Sequence, residues 1–156
     1  MSTETKTVHY IGGPRADAPI PRPGMKLRKG QVAVVVTDPQ NDFLSPKGVA
    51  WGVVGQSVTE NKTVENIESL FKAAKKADVP VFISPHYYYQ HDQQWKFEGA
   101  VETLMHSIRM FDRKGALTTE GFGESGADWL ERYKPYIHDG KTIVTSPHKV
   151  YGPQTN

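Results

Sequence analysis

The feature that most constrains this chain is the order of its central segments: an apolar run, an amphipathic stretch, then a second apolar run. Val32-Ala33-Val34-Val35-Val36-Thr37 is β-branched except at Ala33 and ends in Asp38, which reads as a buried strand at about 32–37. Residues 58–78 carry Val64, Ile67, Leu70, Phe71, Ala74 and Ala77 at helical spacing, with Lys and Glu filling the other face. Ser57-Val58-Thr59-Glu60 has the spacing of a capping box, with Thr59 a competing cap. Asp78 ends the predicted helix, and Val79-Pro80-Val81-Phe82-Ile83-Ser84 reads as a second strand, with Pro80 placed early enough for a lost ladder bond to be tolerated. Strand, crossover helix and strand require parallel pairing and a right-handed connection. The fold class is therefore α/β. Ligands of such sheets bind beyond the carboxyl ends of the strands, where Asp38 stands. A cap for the following loop is the other reading of Asp38, because Asp accepts backbone N–H bonds in turns.

Composition narrows the function. At 156 residues the chain fits one domain. A net charge of +2 makes no case for nucleic acid, and Lys72-Ala73-Ala74-Lys75-Lys76 reads as the solvated face of a helix. No segment approaches the ~20 apolar residues of a membrane span. Met1-Ser2-Thr3-Glu4-Thr5-Lys6 lacks the apolar core of a secretory signal, so a cytoplasmic protein without membrane or nucleic-acid partners is expected. The absence of cysteine excludes disulfides, thiolate metal sites and a Cys nucleophile within these residues.

Two domain-level parts are expected. Residues 1–30, with Pro14, Pro19, Pro21 and Pro23, read as a Pro-rich N-terminal arm; Tyr10, Ile11, Ile20 and Met25 give it something to bury. Residues 31–156 read as the α/β domain. Within it, residues 85–125 are long for a strand-to-helix connection and rich in aromatics, from Tyr87, Tyr88 and Tyr89 to Trp95 and Phe97. Insertions of this kind at the carboxyl end of a sheet form lids or pocket walls, although the same aromatics serve equally to pack the insertion or a subunit interface. A short helix is expected at 99–110, another at Gly126–Tyr133, and a third strand at Lys141–Ser146. Gly121-Phe122-Gly123 has neither the spacing nor the preceding strand of a phosphate loop.

Asp38-Pro39-Gln40-Asn41-Asp42-Phe43 behind an apolar strand resembles the signature of the isochorismatase-like, or cysteine, hydrolases. A second stretch, Lys149-Val150-Tyr151-Gly152-Pro153-Gln154-Thr155, resembles that family's pattern after the third strand, with Gly152-Pro153 an uncommon filling. The resemblance covers about residues 28–156, roughly the first two thirds of a family member. It implies a three-layer α/β/α, Rossmann-like parallel sheet, here incomplete. It also implies a hydrolase, with Asp38 as catalytic acid/base and Lys149 as its catalytic partner; an opposite charge a few ångströms away keeps a carboxylate ionised. Asn41 and Asp42 would organise the turn, and Phe43 would face the substrate, with Tyr87, Trp95 and Tyr151 as further substrate contacts.

The implied reaction is hydrolysis of a C–N bond in a small amide or ureide by an Asp-Lys-Cys triad, whose Cys would lie beyond this chain. Residues 1–156 alone are then expected to be inactive, and unstable on their own with an unpaired hydrophobic strand edge. Two alternatives remain: the branch that cleaves the vinyl ether of isochorismate without a Cys, and a catalytically inactive fragment or scaffold. Nicotinamidases of the family use an Asp-x-His pair and a further His after the second strand. Here Ser84-Pro85-His86-Tyr87-Tyr88-Tyr89-Gln90-His91 has no such pair, so neither metal nor cofactor is expected. Family members associate, and a homo-oligomer, dimer or tetramer, is expected.

Overall fold

A computed structural model describes residue 28, residues 30–96 and residues 99–147. Three strands, β1 (Val34–Thr37), β2 (Val81–Ser84) and β3 (Ile143–Val144), form one sheet in that order. Both pairings are parallel: Val34 lies opposite Val81 and Thr37 opposite Ser84, while Phe82 lies opposite Ile143. The α/β class and the parallel crossover follow from the sequence as expected. The strands are shorter than the apolar runs that announce them. Pro80 lies just outside β2, and its carbonyl accepts from Val34 N–H at 2.9 Å, so the missing amide costs the ladder nothing.

The predicted helix at 58–78 is two helices. α1 (Asn41–Leu44) is a single turn after the first strand; α2 (Trp51–Glu60) and α3 (Thr63–Ala77) follow, broken at Lys62, whose φ of 49° is left-handed. Ser57 and Thr59 are therefore not caps. Thr59 lies within α2 and its hydroxyl donates back to the Gly55 carbonyl at 2.7 Å. α2 is obscure in sequence because Gly52 and Gly55 break its pattern. Gly55 is needed there, because a Cβ would stand 2.6 Å from the Trp51 ring that folds over it.

α3 buries Phe71 and Ala74 against Val36, Val81 and Ile83 on one face of the sheet. Phe71 meets Tyr133 edge-on at 5.4 Å and stacks on Tyr136 at 5.7 Å. Lys75, near the end of α3, pairs with Asp139 at 2.6 Å and donates to Thr142 at 2.5 Å, fixing the approach to β3. On the opposite face, Val35 and Ile143 are 61% and 50% exposed. Among the described residues that face is open.

The insertion is ordered by its own core. α4 (Ala100–Ser107) lies close to the expected span. Tyr88, Met105, Met110 and Phe111 pack with Ala50, and Phe43 and Trp95 border them. Gly126–Tyr133 is not a helix: Trp129 forms an antiparallel bridge with Gln40. A 3-10 turn at Glu131–Tyr133 then leads into α5 (Lys134–Ile137). The bridge competes with helix formation because residues 125–130 find backbone partners across the chain, as the site shows. No helix among the described residues is long and apolar enough to cross a membrane.

Candidate active site

Asp38 follows β1 by one residue, and its N–H donates to the Ser84 carbonyl at the end of β2 at 3.1 Å. The two strand ends thus meet at the crevice side of the sheet, where parallel α/β folds bind ligands. The backbone of Asp38 is left-handed, with φ 51°. That region is sparsely populated outside glycine, with Asn and Asp its usual exceptions. Its carbonyl accepts from Gln40 N–H at 2.7 Å, closing the turn over Pro39.

The residues after Asp38 act as a hub. Gln40 is fully buried. Its side-chain amide donates to the His86 carbonyl at 2.9 Å and the Ala127 carbonyl at 2.7 Å, and its oxygen accepts from His86 N–H at 2.8 Å. One side chain therefore ties the β1 turn to the segment leaving β2 and to the strap at 125–130. Asn41 N–H donates to the Asp128 carbonyl at 2.9 Å and its side chain to the Ser125 carbonyl at 2.9 Å. Asp42 accepts from Phe111 N–H at 2.7 Å and Val49 N–H at 3.3 Å, while its own N–H donates to the Gly126 carbonyl at 2.9 Å. A Cβ at Gly126 would stand 2.0 Å from an Asp42 carboxylate oxygen, so only glycine lets the strap approach this closely. The sequence pointed to a local role in the turn for Asn41 and Asp42; the structure extends it to segments more than 60 residues away.

The other candidates are distributed unevenly. Phe43 meets the Phe111 ring edge-on at 5.2 Å, and Phe111 lies 5.0 Å from the buried His86 ring, so Phe43 borders the strand-end region. Tyr87 is buried among Phe122, Trp129 and Tyr89. Burial pushes its hydroxyl up from the ordinary tyrosine value, against the opposing pull of Arg113. Trp95 is half-buried against the core of the insertion, meeting Tyr88 edge-on at 5.9 Å and His106 at 5.5 Å. Lys149 and Tyr151 lie outside the described residues, as do Phe97 and nearly all of the N-terminal arm. Among the described residues no group of three or more potential metal ligands occurs.

Cavity size does not locate the site. A cavity of about 700 Å³ lined by Leu44, Trp51, Val58, Val64 and Leu130 does not include Asp38. The strand ends, where rigid backbone presents a carboxylate, are the better guide. The residue that sequence reasoning missed is Gln40. A residue able both to donate and to accept, next to a buried strand end, was the available signal.

Compared with known protein families, residues 32–151 match the isochorismatase domain. The match covers most of the chain, which therefore belongs to this family of hydrolases. A comparison with curated proteins found no match.

Proposed function

We propose that this chain carries the acid/base half of a hydrolase that cleaves a C–N bond in a small amide or ureide. Asp38 is the acid/base, Lys149 its charge partner, and a cysteine from outside residues 1–156 the nucleophile, since none lies within them. The observation that carries the reading is Asp38 itself. A carboxylate at the carboxyl end of a parallel strand is held in a left-handed conformation by a turn that Gln40 anchors on two sides. Ligands of parallel α/β sheets bind beyond the carboxyl ends of the strands, where this carboxylate stands.

In this mechanism Asp38 removes the thiol proton and the thiolate attacks the substrate's carbonyl carbon. The C–N bond breaks as the proton passes to the leaving nitrogen. Asp38 then takes a proton from water, which attacks the thioester and releases the acid and the thiol. Lys149 holds the Asp38 carboxylate ionised and stabilises developing negative charge. Phe43, Tyr87, Trp95 and Tyr151 shape the substrate's surroundings, and the protein works as a homo-oligomer in the cytoplasm. The test is Asp38→Asn in the protein as its gene encodes it. Turnover of small amides and ureides should fall at least ~100-fold, the low end of a general acid/base contribution, with the circular dichroism spectrum unchanged. Turnover retained in Asp38→Asn rules the role out.

A further inference from the structure

The cavity of about 700 Å³ beside α2 has no part in the hydrolase reading. It lies in the elbow between α2 and α3. Trp51, Val58 and Lys62 line it in sequence along α2 and its end, so it runs for about 16 Å at 1.5 Å per residue. Leu44, Val64 and Leu130 complete its apolar walls, and the Trp51 ring folds over Gly55 within α2. Cavities of this size, with largely apolar walls and a few polar groups, are the usual seats of small molecules.

Its charged lining residues, Lys62, Glu65, Glu131 and Arg132, gather where α3 begins beside the 3-10 turn. Three of them are engaged. Arg132 pairs with Glu65 at 3.2 Å and with Glu68 at 2.5 Å, and Glu131 pairs with Lys134 at 2.7 Å. Lys62 is exposed, and among the described residues its ammonium has no ion-pair or hydrogen-bond partner. The first amides of α3 next to it have no side-chain cap, and the positive end of a helix adds to the pull on an anion. The cavity therefore carries apolar walls along its length and free positive charge at one end.

We propose that this cavity binds a small aliphatic monocarboxylate, its tail laid along α2 toward Trp51 and its carboxylate at Lys62. A charge-assisted hydrogen bond from the ammonium orients the head group, while Leu44, Val58, Val64 and Leu130 take the tail out of water. An amine of the same length sets like charge against Lys62 and the helix end. Asp38 does not line the cavity, and binding here requires no turnover, so it stands apart from the proposed hydrolysis.

The test is nuclear magnetic resonance of the 15N-labelled protein as its gene encodes it, following the Trp51 indole N–H signal, which Trp51→Phe identifies by its loss. Octanoate, octylamine and acetate are titrated at neutral pH and constant ionic strength, below the micelle concentrations. The expected result is a saturable shift with octanoate, about tenfold tighter than with octylamine or acetate, since an exposed cation attracts one head group and repels the other, each by a few-fold. Lys62→Gln should weaken octanoate about threefold and bring it closer to octylamine. No saturable shift, octylamine or acetate binding as tightly as octanoate, or the same octanoate affinity in Lys62→Gln overturns the proposal. The comparison of octanoate with octylamine in the parent protein decides the matter if Lys62→Gln does not fold.

Discussion

Gln40 shows why a motif residue without chemistry of its own can matter as much as the carboxylate beside it. Its amide satisfies His86 N–H, the His86 carbonyl and the Ala127 carbonyl, all buried. Gln40→Ala leaves those three groups without their partner. At about 1 kcal/mol or more for each orphaned group, the loss should reach roughly 3 kcal/mol, read as a lower urea midpoint; a change below about 1 kcal/mol would mean that water replaces the amide. A second prediction at this scale concerns acid. The Glu68 carboxyl is lowered from 4.5 to about 2, first by Lys72 and then by Arg132; these are its ion-pair partners, at 2.7 and 2.5 Å. A folded-state value below the unfolded one contributes stability that is fully present above about pH 4.5 and is lost as pH falls toward 2. Melting temperatures across that window should fall less steeply in Glu68→Gln than in the wild type. Equal slopes would show that the exposed pairs contribute nothing.

At the scale of elements, the sequence made β1, α3, β2 and α4 readable because hydrophobic period and strand composition are local signals. The break at Lys62 was not readable. Val58 and Val64 keep the helical period running across it, and nothing in Asn61-Lys62 resembles a glycine C-cap. Lys62 pays for that turn with a left-handed φ of 49°. Lys62→Gly removes the Cβ strain of ~1–2 kcal/mol but adds unfolded-chain entropy of ~0.4–1 kcal/mol. A net gain of between about 0 and about 1.6 kcal/mol should appear in denaturant melts, and a net loss would place the lysine stem in a stabilising contact. The helix expected at Gly126–Tyr133 gives way to a strap over 125–130 and a 3-10 turn for a different reason. The strap's hydrogen bonds run to Pro39, Asn41 and Asp42, partners that no local pattern announces. Of the site, the Asp38 strand end was legible in the motif, while Gln40's reach to the strap was not, since it depends on contacts between segments 87 residues apart.

For the molecule as a whole, the sheet is covered unequally. The face carrying Val36, Val81 and Ile83 packs on α3, whereas Val35 and Ile143 face outward. If Val35 is solvent-exposed in solution, Val35→Thr keeps the β-branch, changes stability by no more than ~0.5 kcal/mol and lowers the fluorescence of an apolar dye. A loss above about 1.5 kcal/mol would show that this face is buried in solution. The two cores meet at Phe43, which packs against both, so the domain couples the sheet to the aromatic insertion through the same short motif that carries Asp38. The most direct measurement is release of ammonia or amine from a panel of small amides and ureides, with the protein as its gene encodes it and its Asp38→Asn variant side by side. Turnover is expected in the parent protein, with a loss of at least ~100-fold in the folded variant; equal turnover in the two would contradict an acid/base role for Asp38.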